Sequence, residues 1–122
     1  MNKILVVDDE LNMRLVLSAM LKKEGYEVAT AADGLNALKI LQEEECAVII
    51  TDLKMPNLDG MGLLSRVVND YPLVPVIIVT AYGTIATAVD ALKKGAFDYI
   101  TKPFEQEEFK KVIQKAVKTR IM

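Results

Sequence analysis

Short apolar runs rich in β-branched residues recur along this chain, each followed by a stretch with helical spacing. That alternation restricts the possible folds more than any other feature. Ile4, Leu5, Val6 and Val7 make the first run, Ala47, Val48, Ile49, Ile50 and Thr51 the third, and Val76, Ile77, Ile78 and Val79 the fourth. Runs of this length without polar alternation read as strands buried on both faces, the habit of parallel sheets. Residues 26–31 alternate and read as the second strand, and residues 97–100 as a short fifth. Between them the helical stretches have their own punctuation. Residues 11–24 place Met13, Val16, Leu17, Met20 and Leu21 at helical spacing, with Gly25 as the stop. Asp33 is placed to cap a second helix carrying Ala37, Leu38 and Leu41, and Asp59 a third carrying Leu64, Val67, Val68 and Tyr71, which Pro72 ends. Ile85, Ala88, Val89 and Leu92 precede Gly95 in the fourth, and Phe109, Val112, Ile113, Ala116 and Val117 mark the fifth. All five stripes are expected to face the core. Strands alternating with helices through short connections and right-handed crossovers predict one doubly wound α/β domain, with a five-stranded parallel sheet and five helices.

At 122 residues the chain fits a single domain, with no linker, low-complexity tract or repeated sequence to suggest a second. A hydrophobic fraction of 52% with 26% charged residues excludes disorder. A net charge of −2 gives no sign of a nucleic-acid or membrane surface. Residue 1 leads straight into a strand, so no signal peptide is expected, and no apolar run reaches the roughly 20 residues of a membrane span. The single cysteine, Cys46, suits a reducing compartment and reads as a small buried residue, so a cytoplasmic location is expected. The chain contains no histidine, which excludes a Ser-His-Asp triad, a histidine zinc site and a phosphohistidine carrier. Chemistry here must run on carboxylates, hydroxyls and lysines.

Three acids stand where strands end. Asp8 and Asp9 close the first run and Asp52 the third. In an open parallel sheet all C-terminal strand ends lie on one edge, where ligands bind, so the three carboxylates should converge there. Such a cluster requires a divalent cation or a raised pKa. Thr80 closes the fourth strand, and Thr101, Lys102 and Pro103 close the fifth, adding a hydroxyl and an ammonium to the same edge. Mg²⁺ takes oxygen ligands while keeping waters. Lys102 supplies a point charge for a phosphoryl oxygen and Thr80 a donor. Asp52, isolated at its strand end, suits a nucleophile that forms an acyl phosphate. Taken singly, each residue has an ordinary reading: Asp8 and Asp9 as helix caps, Asp52 as an exposed loop acid, Lys102 as a surface lysine, Thr80 as a common strand-end threonine. Their coincidence at one edge favours phosphoryl chemistry on an aspartate.

These segments resemble the receiver domain of two-component response regulators. The resemblance rests on residues 4–10 with Asp8, Asp9 and Glu10, residues 51–56 followed by Asp59 and Gly60, residues 79–81, and Lys102, Pro103 and Phe104. It covers residues 3–119 and implies a flavodoxin-like sheet in the order 2-1-3-4-5. It also implies a role for each position. Asp52 matches the phospho-acceptor; Asp8 and Asp9 match the acidic pair that binds Mg²⁺, one directly and one partly through water. Lys54 matches the position whose backbone carbonyl ligates the metal. Thr80, the Ala81 amide and Lys102 match the phosphoryl contacts, Tyr99 the aromatic that changes rotamer on activation, and Pro103 the partner in a cis Lys-Pro bond. Lys54 and Tyr82 match positions that border the path of the hydrolytic water. Neither suits the orientation of that water, so a slowly hydrolysed phosphate is expected.

A finer resemblance, in residues 81–99, is to receivers of bacterial enhancer-binding, nitrogen-regulation type transcription activators. It implies a sensor histidine kinase as phosphodonor, a transcriptional output through ATPase and DNA-binding domains, no direct nucleic-acid or membrane contact, and a homodimer contact at the fourth or fifth helix that changes on phosphorylation. With the sequence ending at residue 122, the chain reads as an excised or a stand-alone receiver, and excision is favoured. Two rival readings fit the pattern less well. A small Mg²⁺ phosphatase with an aspartyl-phosphate intermediate usually carries its two acids as Asp-x-Asp on one strand end, unlike this chain. An unphosphorylated scaffold should have lost an acid or Lys102, and none is lost.

Overall fold

The computed structural model describes the backbone of residues 2–121 and the side chains of residues 2–119. Strand and helix alternate throughout: β1 (Lys3–Val7), α1 (Leu11–Lys23), β2 (Glu27–Ala31), α2 (Gly34–Glu43), β3 (Val48–Thr51), α3 (Gly60–Asp70), β4 (Val76–Thr80), α4 (Ile85–Lys93), β5 (Asp98–Thr101) and α5 (Gln106–Ile121). All strand pairs are parallel, as the residue pattern predicts, and the sheet order is β2-β1-β3-β4-β5, as the receiver resemblance implies.

The sheet sorts its side chains by the two-residue period of a strand. Leu5, Val7, Ile49, Val76 and Ile78 point to the layer closed by α2 and α3, where Ala37, Leu41, Leu63, Leu64 and Val67 meet them. Ile4, Val6, Val48, Ile50, Ile77 and Val79 point the other way, onto Leu17 and Leu21 of α1 and Phe109, Ile113, Ala116 and Val117 of α5. Burial on both faces explains why these runs show no polar alternation.

The punctuation works as the residue types require. The Asn36 N–H donates to Asp33 Oδ1 at 2.8 Å and the Gly62 N–H to Asp59 Oδ1 at 2.8 Å, so both aspartates cap their helices. Gly25 (φ 92°) and Gly95 (φ 110°) follow α1 and α4 in the left-handed conformation that ends a helix. Cys46 is buried.

Five apolar residues expected to face inward are exposed instead: Val16, Val68, Ile85, Val89 and Leu92. On α1, Leu17 and Leu21 make the contact with the sheet, and Val16 lies one step around the helix from them. On α3 the buried row is Leu63, Leu64 and Val67, which turns the adjacent Val68 outward. On α4 the buried side chain is Ala91, a residue small enough to bring the helix close. That orientation leaves Ile85 86% exposed and Val89 and Leu92 each 46% exposed. Helical spacing identifies an amphipathic helix; the size of the side chains at the contact decides which part of the stripe is covered.

Candidate functional site: an acid pair bridged by lysine at the sheet edge

Backbone ladders carry the key residues one step beyond their strands. The Asp8 N–H donates to the Ala31 carbonyl (3.1 Å), the Asp52 N–H to Val7 (3.1 Å) and the Lys102 N–H to Thr80 (3.0 Å). Parallel register sets Val7 beside Thr51 and Thr80 beside Thr101, so the residues that follow share one edge. There Lys102 Nζ donates to Asp8 Oδ2 and to Asp52 Oδ2, each at 3.0 Å. Asp8 is 1% and Asp52 3% exposed, so neither is an exposed acid, and the Lys102 side chain is largely covered and not a surface lysine.

The second oxygen of each acid is also held. Asp52 Oδ1 accepts the Leu53 N–H at 2.6 Å and the Lys54 N–H at 3.4 Å. Asp8 Oδ1 accepts the Glu10 N–H at 2.9 Å, so Asp8 serves the start of α1 as well as the edge. Burial pulls the Lys102 pKa down, and hydrogen bonds and charge from Asp8 and Asp52 outweigh that pull and hold the ammonium above its usual range. Two carboxylates against one ammonium leave one carboxylate in excess at this buried edge. A hard dication is the class of ion that such a donor set fits.

Asp9 is exposed, and among the described residues no group of three or more acids, histidines or cysteines is placed to hold a metal ion. The Lys102 bridge thus brings together Asp8 and Asp52, and the exposed Asp9 takes no part in it. An unpaired third carboxylate gains by staying in water, which accounts for its position.

Thr80 is buried, and its Oγ1 accepts the Tyr82 N–H at 3.1 Å, which keeps the hydroxyl proton for another acceptor. The Lys54 ammonium lies 4.7 Å from the centre of the Tyr82 ring and joins the loops that follow β3 and β4 by a cation–π contact. The Tyr99 hydroxyl lies 3.1 Å from Thr87 Oγ1. A Cβ at Gly83 would stand 2.1 Å from that phenolic oxygen, so glycine leaves the room the ring occupies. The peptide bond between Lys102 and Pro103 is cis, as expected.

Sequence reasoning missed several residues around the edge. Arg14 donates from Nη1 to the Asp8 carbonyl at 2.6 Å. Asn57, at φ 68°, donates from Nδ2 to Asp33 Oδ2 at 2.6 Å. Thr84 and Thr87 form a reciprocal capping box at the start of α4. Only the last carried a legible signal, two hydroxyl residues three apart at a helix start.

Residues 4–114 match the family model described as the response regulator receiver domain. Among curated proteins, the chain is 44% identical over 115 residues to a putative NtrX-like response regulator of Rickettsia bellii (strain RML369-C), covering 93% of this chain and 24% of that protein. It is 39% identical over 121 residues to the regulatory protein AtoC of Escherichia coli (strain K12), covering 99% of this chain and 26% of that protein. The chain thus spans about a quarter of the length of these relatives. Among solved structures, a response regulator receiver domain protein from Clostridium thermocellum superposes with a TM-score of 0.92 at 36% identity, with both chains covered in full (100% and 100%). The receiver domain of NtrX from Brucella abortus gives 0.90 at 36% identity, covering 95% of this chain and 98% of that one. The chain belongs to the response regulator receiver domain family. That membership removes the metabolite phosphatase as a rival reading.

Proposed function

We propose that Asp52 accepts a phosphoryl group from the phosphohistidine of a sensor histidine kinase, and that the acyl phosphate resets the surface formed by α4, β5 and α5. The Lys102 bridge between Asp8 and Asp52 carries this reading. It sets a nucleophilic carboxylate beside a cation, in a buried setting where electrostatic stabilisation of transfer is strongest. An Asp52 carboxylate oxygen forms the new O–P bond while the P–N bond to the kinase imidazole breaks, and the imidazole nitrogen keeps the electron pair. Asp8, Asp52 and the Lys54 backbone carbonyl would hold Mg²⁺, with Asp9 contributing through water from the exposed side. When bound, the ion offsets charge on the phosphoryl oxygens.

Thr80 and the Ala81 amide would contact those oxygens once the phosphoryl group is in place. Thr80 turning toward them withdraws its oxygen from the Tyr82 N–H, and Tyr99 follows by leaving Gly83 and Thr87. Phosphate acts only through tighter contact with the active arrangement, a shift of population. The exposed apolar side of α4 supports a homodimer contact or an output domain as the reader, and the relatives named as transcriptional regulators support a transcriptional output. The Lys54–Tyr82 contact supports a long-lived phosphate, since it places bulk and no carboxylate beside the site; Tyr82→Glu or Lys54→Asn should shorten the lifetime in a dephosphorylation time course.

Mass spectrometry after incubation with acetyl phosphate and Mg²⁺ tests the central claim. The wild type should gain one phosphate that hydroxylamine removes, and Asp52→Asn should gain none. Equal labelling of the two proteins defeats the assignment.

A further inference from the structure

We propose that Asp33 is a positioning residue for the Asp52 site, acting through Asn57 to fix the loop that carries the Lys54 carbonyl. This rests on the reading of Asp52 given above. Asp33 lies at the other end of the sheet edge, at the start of α2, and is buried. A helix cap needs one carboxylate oxygen, and Asp33 Oδ1 fills that role by accepting the Asn36 N–H at 2.8 Å. Oδ2 is committed elsewhere: it accepts Asn57 Nδ2–H at 2.6 Å across 24 residues of sequence. Hydrogen bonds from Asn36 and Asn57 hold this carboxyl below the usual carboxylate range, so it is ionised at neutral pH and binds as a charged acceptor.

The loop is tied down on both sides of Lys54. Asn57 takes φ 68°, a conformation that asparagine tolerates better than most residues. Beside it the Gly34 N–H donates to the Leu58 carbonyl at 3.0 Å, and a Cβ at position 34 would stand 2.5 Å from that oxygen. At the far end the Gly60 N–H donates to the Leu53 carbonyl at 2.9 Å, and a Cβ at position 60 would stand 2.1 Å from the Asp52 carbonyl oxygen. The short segment between these ties contains the Leu53 and Lys54 amides that donate to Asp52 Oδ1. It also contains the Lys54 carbonyl. Releasing Asn57 removes the side-chain tie at one end of that segment, leaving only the Gly34–Leu58 backbone bond there, with Asp8, Asp52 and Lys102 untouched.

Two substitutions separate this role from capping. Asp33→Ser keeps a cap for α2 and loses the bond to Asn57. Asn57→Gly keeps the left-handed conformation and loses the same bond. Mg²⁺ titration of the unphosphorylated protein, followed by the NMR shifts of the Leu53 and Lys54 amides, reads the effect without any phosphodonor. Each variant should bind Mg²⁺ about tenfold more weakly, the scale expected for groups that orient ligands from outside the first layer. The double variant should lose no more than either single one, and all should reach wild-type labelling at saturating Mg²⁺. Affinities within about twofold of wild type in both variants overturn the proposal. If wild type shows no Mg²⁺ binding, the metal reading of Asp52 has failed on its own. The clamp then stands or falls on hydrogen exchange at the Leu53 and Lys54 amides, which must quicken in both variants; unchanged exchange overturns it.

Discussion

Helices α4 and α5 carry apolar residues at the same helical spacing, yet they hold to the sheet in different ways. In α5, Phe109, Ile113, Ala116 and Val117 are all buried, and the Phe109 ring stacks on Phe104 with centroids 5.1 Å apart. In α4 the buried residue is Ala91, while Ile85, Val89 and Leu92 face outward. Fully burying an aliphatic side chain contributes roughly 1.5–3 kcal/mol, so α5 is anchored by several such terms and α4 by almost none. What fixes α4 is polar and local. The Thr84 side chain accepts the Thr87 N–H, Thr87 Oγ1 accepts the Thr84 N–H, and the Tyr99 hydroxyl adds a bond from β5. A helix secured by a few hydroxyls is displaced at far lower cost than one secured by a core. The difference marks α4 as the element most able to answer a change at Asp52.

The contrast is broken most decisively by truncating one apolar residue on each helix. Phe109→Ala should destabilise the domain by about 3–5 kcal/mol in urea melts, whereas Ile85→Ala should cost under about 0.5 kcal/mol. Equal costs would mean that α4 packs as firmly as α5. Next in size is Ala91→Leu, which forces extra bulk into the one closed contact of α4 and should cost about 1–3 kcal/mol. If it is neutral, α4 is not seated through Ala91. Last comes Thr87→Val, which deletes the reciprocal cap and the partner of Tyr99. A loss of about 1 kcal/mol is expected, read as faster hydrogen exchange in the first turn of α4 with exchange in α5 unchanged. Faster exchange spread evenly over both helices would show that the cap serves the whole domain.

How far the sequence reached can be judged on these same elements. The strands were legible because parallel strands covered on both faces have no room for polar alternation, and Ile4 to Val7 or Val76 to Val79 admit few other readings. Asp8, Asp52, Thr80 and Lys102 were legible because each stands at or just past the end of a strand, and parallel topology carries strand ends to one edge. The covering of α4 was not legible. Its pattern is that of any amphipathic helix, and nothing local tells a face that meets the core from one that meets solvent. The exposure of Asp9 was not legible, because a strand end fixes the backbone and leaves the side chain to follow solvation. Asp33 reads as a helix cap, but its bond to Asn57 is not legible, because it joins residues 24 apart in sequence through a loop conformation that no periodicity encodes.

All five residues of β4 are buried, with Ile77 and Val79 locked into one layer and Val76 and Ile78 into the other. Mechanically the strand is a stiff bar clamped from both sides, and Thr80 is its tip. A pull on that tip cannot be absorbed by bending the bar. A displacement of that tip would be handed on to the segment beyond, through Tyr82 and Gly83 to the first turn of α4. Stiffness in the middle of the sheet thus sets the direction in which a small displacement at its edge must travel.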